Sequence, residues 1–136
     1  MSASLNKPTG RFRVLIFGGR DFVPKQEHWE LLNYLLADWL DDPDELTIVT
    51  GKARGADAFG ENFAALVGAW VDEFPADWDK HGKGAGFIRN QQMLDSGIDY
   101  AIQFPGGNGT ADMRRRLDKA GVTVWEVQKE RNNIML

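Results

Sequence analysis

Residues 13–19 read RVLIFGG: an arginine, four apolar side chains in succession, then two glycines. A run this short, apolar at every position rather than at alternate ones, is what a strand buried on both faces requires, and the glycines mark its exit into a turn. The signature returns at 46–51, LTIVTG, and more weakly at Trp70–Pro75, Ile98–Phe104 and Val122–Val127. Between these runs the spacing turns helical. Trp29, Leu32, Leu36 and Leu40 recur over about 26–40 and are stopped by DDPD, and Phe59, Phe63 and Leu66 precede Gly68. Two more helices are expected over about 87–96 and 111–120, closed by Gly97 and Gly121. Residues 76–86, ADWDKHGKGAG, read as a long loop. Five strands alternating with four helices imply right-handed crossovers. The expected fold class is therefore α/β: a single Rossmann-like, doubly wound parallel sheet in the order 3-2-1-4-5, with helices on both faces. The domain is expected to occupy 13–127, between a polar N-terminal extension at 1–12 and a C-terminal tail at 128–136.

With 136 residues, 43% of them hydrophobic, the chain can bury one real core, roughly two-thirds of its unfolded surface. No apolar stretch approaches the roughly 18 residues of a membrane helix, and MSASLNKPTG lacks the apolar centre of a signal peptide. The absence of cysteine excludes disulfides and thiolate metal sites. A cytoplasmic setting with no membrane contact is expected. A net charge of -4 argues against a broad grip on nucleic acid but leaves room for a local basic pocket.

In a 3-2-1-4-5 sheet the strand order reverses between strands one and four, and ligands settle beyond the carboxyl ends of the strands there. Three glycine-rich loops leave those ends. The first carries Gly18, Gly19 and Arg20; the second Gly51, Arg54, Gly55 and Asp57; the third Gly106, Gly107, Asn108, Gly109 and Thr110. Without Cβ atoms, backbone N–H groups can face an anion that also senses the positive end of the following helix. The alternative is that the glycines only make tight turns. Neither GxxxxGK[ST] nor GxGxxG occurs, so neither of those ligand geometries is implied.

Around the loops the order of elements gathers Arg20, Lys52 and Arg54, with Lys80, Lys83 and Arg89 from the third crossover. Such groups give charge-assisted hydrogen bonds to phosphate. Lys83 reads as a solvated surface charge. Asp21 and Asp57 stand at loop-to-helix junctions, where a carboxylate either accepts a ribose hydroxyl or simply favours a helix N-terminus. Asn108 or Thr110 has a cap of the last helix as its alternative role. His28 reads as structural and away from the ligand edge. His81 reads as a surface group with no partner spaced for a metal, and no metal is assigned. Trp78 reads as an anchor for its loop, with stacking on a base as the alternative.

VLIFGGRDF, TGKARGAD, ADWDKHGKGAGFIRNQQML and FPGGNGTADM, in this order, resemble the YspA/YpsA-related branch of the SLOG superfamily, Rossmann-like domains that include the LOG proteins and DprA. The resemblance spans about Arg13 to Val127. It implies a domain that binds nucleotides or nucleotide-derived signals, often in phage, plasmid or bacterial conflict systems, with its copies paired as a homodimer. The implied site joins the three loops to Arg89 and Asn90 of the IRN segment. LOG-type phosphoribohydrolases share an arginine comparable to Arg89 and the pattern PGGxGTxxE, whose glutamate assists cleavage of the base–ribose bond. Here that position is Met113, which can neither activate water nor stabilise an oxocarbenium ion. Asp112 is adjacent, but one residue along a helix turns a side chain by roughly 100°.

The leading expectation is a module that senses or sequesters a nucleoside phosphate, ADP-ribose or NAD-like compound, with no further cofactor. An N-glycoside hydrolase is the alternative, with Asp57, Arg89 and Asp112 as its candidate catalytic residues. Single-stranded nucleic acid on Trp78 and Phe22 is a third reading, disfavoured by the acidity.

Overall fold

The computed structural model describes residues 10–128. Apart from 10–12 and 128, the expected N-terminal extension and C-terminal tail lie outside the described residues. The strands β1 (Phe12–Phe17), β2 (Leu46–Thr50), β3 (Trp70–Glu73), β4 (Tyr100–Gln103) and β5 (Val124–Glu126) form one parallel sheet in the order β3-β2-β1-β4-β5. This is the Rossmann-like α/β architecture that the apolar runs imply. The helices are α1 (Gln26–Leu35), α2 (Ala37–Leu40), α3 (Ala56–Val67), α4 (Trp78–His81), α5 (Ala85–Asp95) and α6 (Asn108–Ala120). Among the described residues no helix is long and apolar enough to cross a membrane.

The central strand explains the two-layer core. Successive strand side chains point to opposite faces, so an unbroken apolar run needs cover on both. Val14 and Ile16 pack with Leu32 and Leu36 from the first helical segment and with Phe59 and Phe63 of α3. Leu15 and Phe17 pack on the other side with Met93 of α5 and with Met113 and Leu117 of α6. Burying each of these β1 side chains contributes about 1.5–3 kcal/mol.

Three elements differ from the spacing-based expectation. The first helix breaks at Leu36, whose φ of -109 and ψ of 16 end α1 before α2 resumes at Ala37. The break keeps Leu36 in the core while Trp39 stacks on Phe12 with ring centroids 4.5 Å apart. The long loop at 76–86 winds into α4 and a 3-10 turn, Gly82–Gly84, with the Asp77 carboxylate accepting the Lys80 N–H at 3.0 Å as an N-cap. Helix α6 begins at Asn108 rather than 111, so most of the expected turn is already helix.

Candidate functional site

The three glycine-rich loops are tied to one another by main chain. Gly19 N–H donates to Pro105 O at 2.9 Å, Ala56 N–H donates to Gly19 O at 3.1 Å, and Phe104 N–H donates to Phe17 O at 2.8 Å. This contact explains most of the glycines. A Cβ on Gly18 would stand 2.8 Å from Phe104 and 2.9 Å from Ala56, and one on Gly19 would stand 2.8 Å from Pro105 O. A Cβ on Gly51 would run into Arg89, one on Gly55 into Gly19 O, and one on Gly106 into Thr110 and Gly19. At Gly55, φ of +77 adds its own demand for glycine. Gly107 and Gly109 are different, with nothing within 4 Å of where a Cβ would be. The turn-making alternative therefore holds for the glycines that lock the loops, and bare backbone is offered to the outside at Gly107 and Gly109.

On the α5 and α6 side of these loops lies a cleft of about 370 Å³. One wall is Gly18, Gly19 and Arg20, and the opposite wall runs from Gly107 to Thr110. Phe17, Met93 and Met113 line its base, and Asp57, Arg89 and Asn90 line the β2 side. Gly107 is the N-cap of α6 and no side chain caps it, so the first-turn N–H groups and the positive helix end are left to the cleft. The alternative role of Asn108 or Thr110, a helix cap, is filled by neither.

Arg89 is held from both ends: its Nη1 donates to Gly51 O and its Nε to Asn90 Oδ1 at 3.1 Å. Burial pulls the guanidinium below its ordinary pKa, while Asp57 works the other way. Asp57 is 6% exposed, and burial pushes its carboxyl up to about 6 against the Ala53 N–H it accepts at 3.3 Å and the charge of Arg89. Asn90 serves as a brace, its Nδ2 donating to Gly109 O at 3.2 Å and to Asp112 Oδ2 at 3.0 Å.

Several expectations are corrected here. Asp112 does not line the cleft with its neighbour Met113; it lines a separate depression with Arg115 and Arg116. Its Oδ2 accepts Arg116 Nε at 2.8 Å. Burial raises its pKa, but the hydrogen bonds from Arg116 and Asn90 outweigh this and hold it below its ordinary value. Lys52 is taken up by Glu61 at 3.0 Å and Glu73 at 3.2 Å. Arg54 and Gly51 line an adjoining groove rather than the cleft, and Arg54 lies 3.6 Å from Asp21. Lys83, read as a solvated charge, stands on the cleft wall. Trp78, read as an anchor, is 48% exposed and lines the cleft beneath the Arg20 guanidinium, 5.4 Å from its ring centroid.

A second cavity, about 950 Å³, lies across the bridge and shares Gly19, Arg20 and Gly107 with the first. His28, expected away from the ligand edge, lines it; its Nδ1 accepts the Lys25 N–H at 2.8 Å and so caps α1. Phe22, considered as a stacking platform, packs its ring on Phe104 at 4.6 Å and on His28 at 4.9 Å. Gly86 and Phe87 of the cleft wall and Met93 at its base are not among the expected site residues. Their signal was present: Gly86, Arg89, Asn90 and Met93 stand at i, i+3, i+4 and i+7, one face of a helix.

Residues 12–81 match the model of the YspA, cpYpsA-related SLOG family (YAcAr). The chain is 38% identical over 120 residues to the Gene 61 protein of Mycobacterium phage D29, across 82% of this chain and 93% of that protein. It superimposes on the X-ray structure of TM1055, a structural genomics target, with a TM-score of 0.62 over 83% of this chain and 72% of that one. At 16% identity that likeness is one of fold.

Proposed function

The chain belongs to the YspA, cpYpsA-related SLOG family, and from that premise we propose that it binds a phosphorylated, nucleotide-derived small molecule in the cleft between the β1 and β4 loops, as a sensing or sequestering module. One observation carries the proposal: the uncapped N-terminus of α6 faces a cleft that holds Arg20, Lys83 and Arg89 against one carboxylate, in a protein of net charge -4. Backbone N–H groups at Gly107 and Gly109 and the Thr110 hydroxyl donate to the phosphate, and Arg89, braced on Gly51 O, meets it from the β2 side. Trp78 supplies the face on which a base stacks. The volume suits a ligand of nucleotide size.

Mass spectrometry of small molecules released from the purified protein, followed by thermal-shift titration of what is found, tests this reading. Ligand at one hundred times its dissociation constant should stabilise the fold by about 2.7 kcal/mol. The absence of any shift with nucleoside mono- and diphosphates, ADP-ribose and NAD would overturn it. Pairing of two copies belongs to the same reading, prompted by Phe87 and Ile88 standing 42% and 39% exposed on α5, and sedimentation velocity decides it.

Asp57 favours a second reading, an N-glycoside hydrolase. A buried carboxyl raised to about 6 within a ligand-sized cleft has the pKa of a general acid or base. Incubation with nucleoside monophosphates or NAD and chromatography for free base separates the two. Base released by the wild type and lost in Asp57→Asn establishes hydrolysis; no base across the panel leaves binding alone.

A further inference from the structure

Asp112 lies outside the cleft, yet an unbroken hydrogen-bonded path runs from it to the cleft's buried arginine. Its Oδ2 accepts Asn90 Nδ2 at 3.0 Å and Arg116 Nε at 2.8 Å, and Arg115 Nη2 stands 3.5 Å from its Oδ1. Asn90 is 5% exposed and both of its amide hydrogens are used: one goes to Asp112, the other to Gly109 O at 3.2 Å. Its Oδ1 accepts Arg89 Nε–H at 3.1 Å. The amide can stand only one way round. Turned over, it would set two donors against the Arg89 N–H and its oxygen against the Asp112 carboxylate and the Gly109 carbonyl. Two acceptors on α6 therefore decide that an oxygen faces Arg89. With Nε committed to Asn90 and Nη1 to Gly51 O, the guanidinium plane is fixed, and Nη2 is the nitrogen that no hydrogen bond among the described residues occupies. It lies 3.7 Å from where a Cβ on Gly86 would stand, and Gly86 and Arg89 both line the cleft.

We propose that Asp112 is a positioning residue for the cleft: its carboxylate sets the sense of the Asn90 amide, and the amide in turn aims Arg89 Nη2 at the bound phosphate. This rests on the phosphate reading above and adds to it a residue outside the cleft that governs binding there. The sign of the effect separates this role from plain electrostatics. Removing a negative charge from behind an anion seat strengthens anion binding. Removing the group that orients Arg89 weakens it.

Asp112→Ala and Asp112→Asn, compared with wild type in two measurements, test this; alanine suits the interior of α6, and the rest of each NMR spectrum reports that the variant is folded. In the free protein, heteronuclear NMR reads the exchange of the Arg89 Nε–H with water, its resonance identified by its loss in Arg89→Lys. Exchange should be slow in wild type, at least about tenfold faster in Asp112→Ala, and slow again in Asp112→Asn, whose amide oxygen still accepts from Asn90. In calorimetric titration, AMP affinity should fall about fivefold in Asp112→Ala and return to within about twofold of wild type in Asp112→Asn, with adenosine affinity unchanged in both. Unaltered Arg89 exchange in Asp112→Ala, tighter AMP binding by that variant, or equal losses for AMP and adenosine would each overturn the proposal. If wild type binds no AMP, the phosphate reading fails, and the exchange measurement still decides whether Asp112 holds Arg89.

Discussion

The two cavities are built on the same three loops yet differ in what they can hold. The cleft is closed by α6, which starts at a glycine that no side chain caps, and by α5, which brings in Arg89. The second cavity is closed by α1, where His28 Nδ1 takes the N–H of the N-cap residue Lys25, and its lining includes Glu27 and Asp21. The sheet edge and the loop bridge are common to both, so the difference lies in the side chains each helix brings to its cavity. At the cleft the uncapped start of α6 and the guanidinium of Arg89 together suit an anion, while the second cavity has Glu27 in its place.

The comparison is broken most severely at the bridge they share. Gly55→Ala combines a positive φ with a Cβ driven into Gly19 O, and should cost about 3–5 kcal/mol in denaturant unfolding, disturbing both cavities together. Next comes the carboxylate on the cation-rich side. Because the folded state raises Asp57 from 3.8 to about 6, the folded protein holds that proton more tightly than the unfolded chain. The associated stability is fully present below pH 3.8 and lost as pH rises through 6, by up to about 3 kcal/mol. Subtracting the stability of Asp57→Asn at each pH should isolate this decline; a difference that rises over the same interval would contradict it.

Arg89→Ala should weaken phosphorylated ligands by about 1.5–3 kcal/mol and leave the corresponding nucleosides nearly unaffected, as calorimetry can measure. Equal losses for both would place the phosphate elsewhere. The smallest effect is expected at the rim, where Trp78→Ala should cost a nucleotide about 1 kcal/mol and inorganic pyrophosphate nothing.

The frame was legible because its signals are local. RVLIF must be covered on both faces, and strand runs that alternate with helical spacings leave few topologies. The cations were legible as residue types, but their partners were not. Lys52 sits among candidate cations in the sequence and is consumed by Glu61 and Glu73, from α3 and β3. Asp112 and Met113 are adjacent in the chain, but the helical turn sends one to Arg116 and the other to the base of the cleft. The second cavity was invisible for the same reason: it joins Val23 and Glu27 to Glu126, about a hundred residues apart, and no periodicity encodes that meeting. Within 76–86 the glycines at 82, 84 and 86 masked two short helical turns, and with them the exposed face of Trp78.

The bridge from Gly19 to Pro105 and Ala56 is made of peptide groups alone. Shape and recognition are therefore assigned to different parts of the chain: the scaffold of the pocket does not depend on which side chains decorate it. Arg20, Trp78, Lys83 and Phe87 can be exchanged without touching a single atom of that bridge, so a protein built this way can be retuned to a new metabolite by swapping its lining while its architecture stays put.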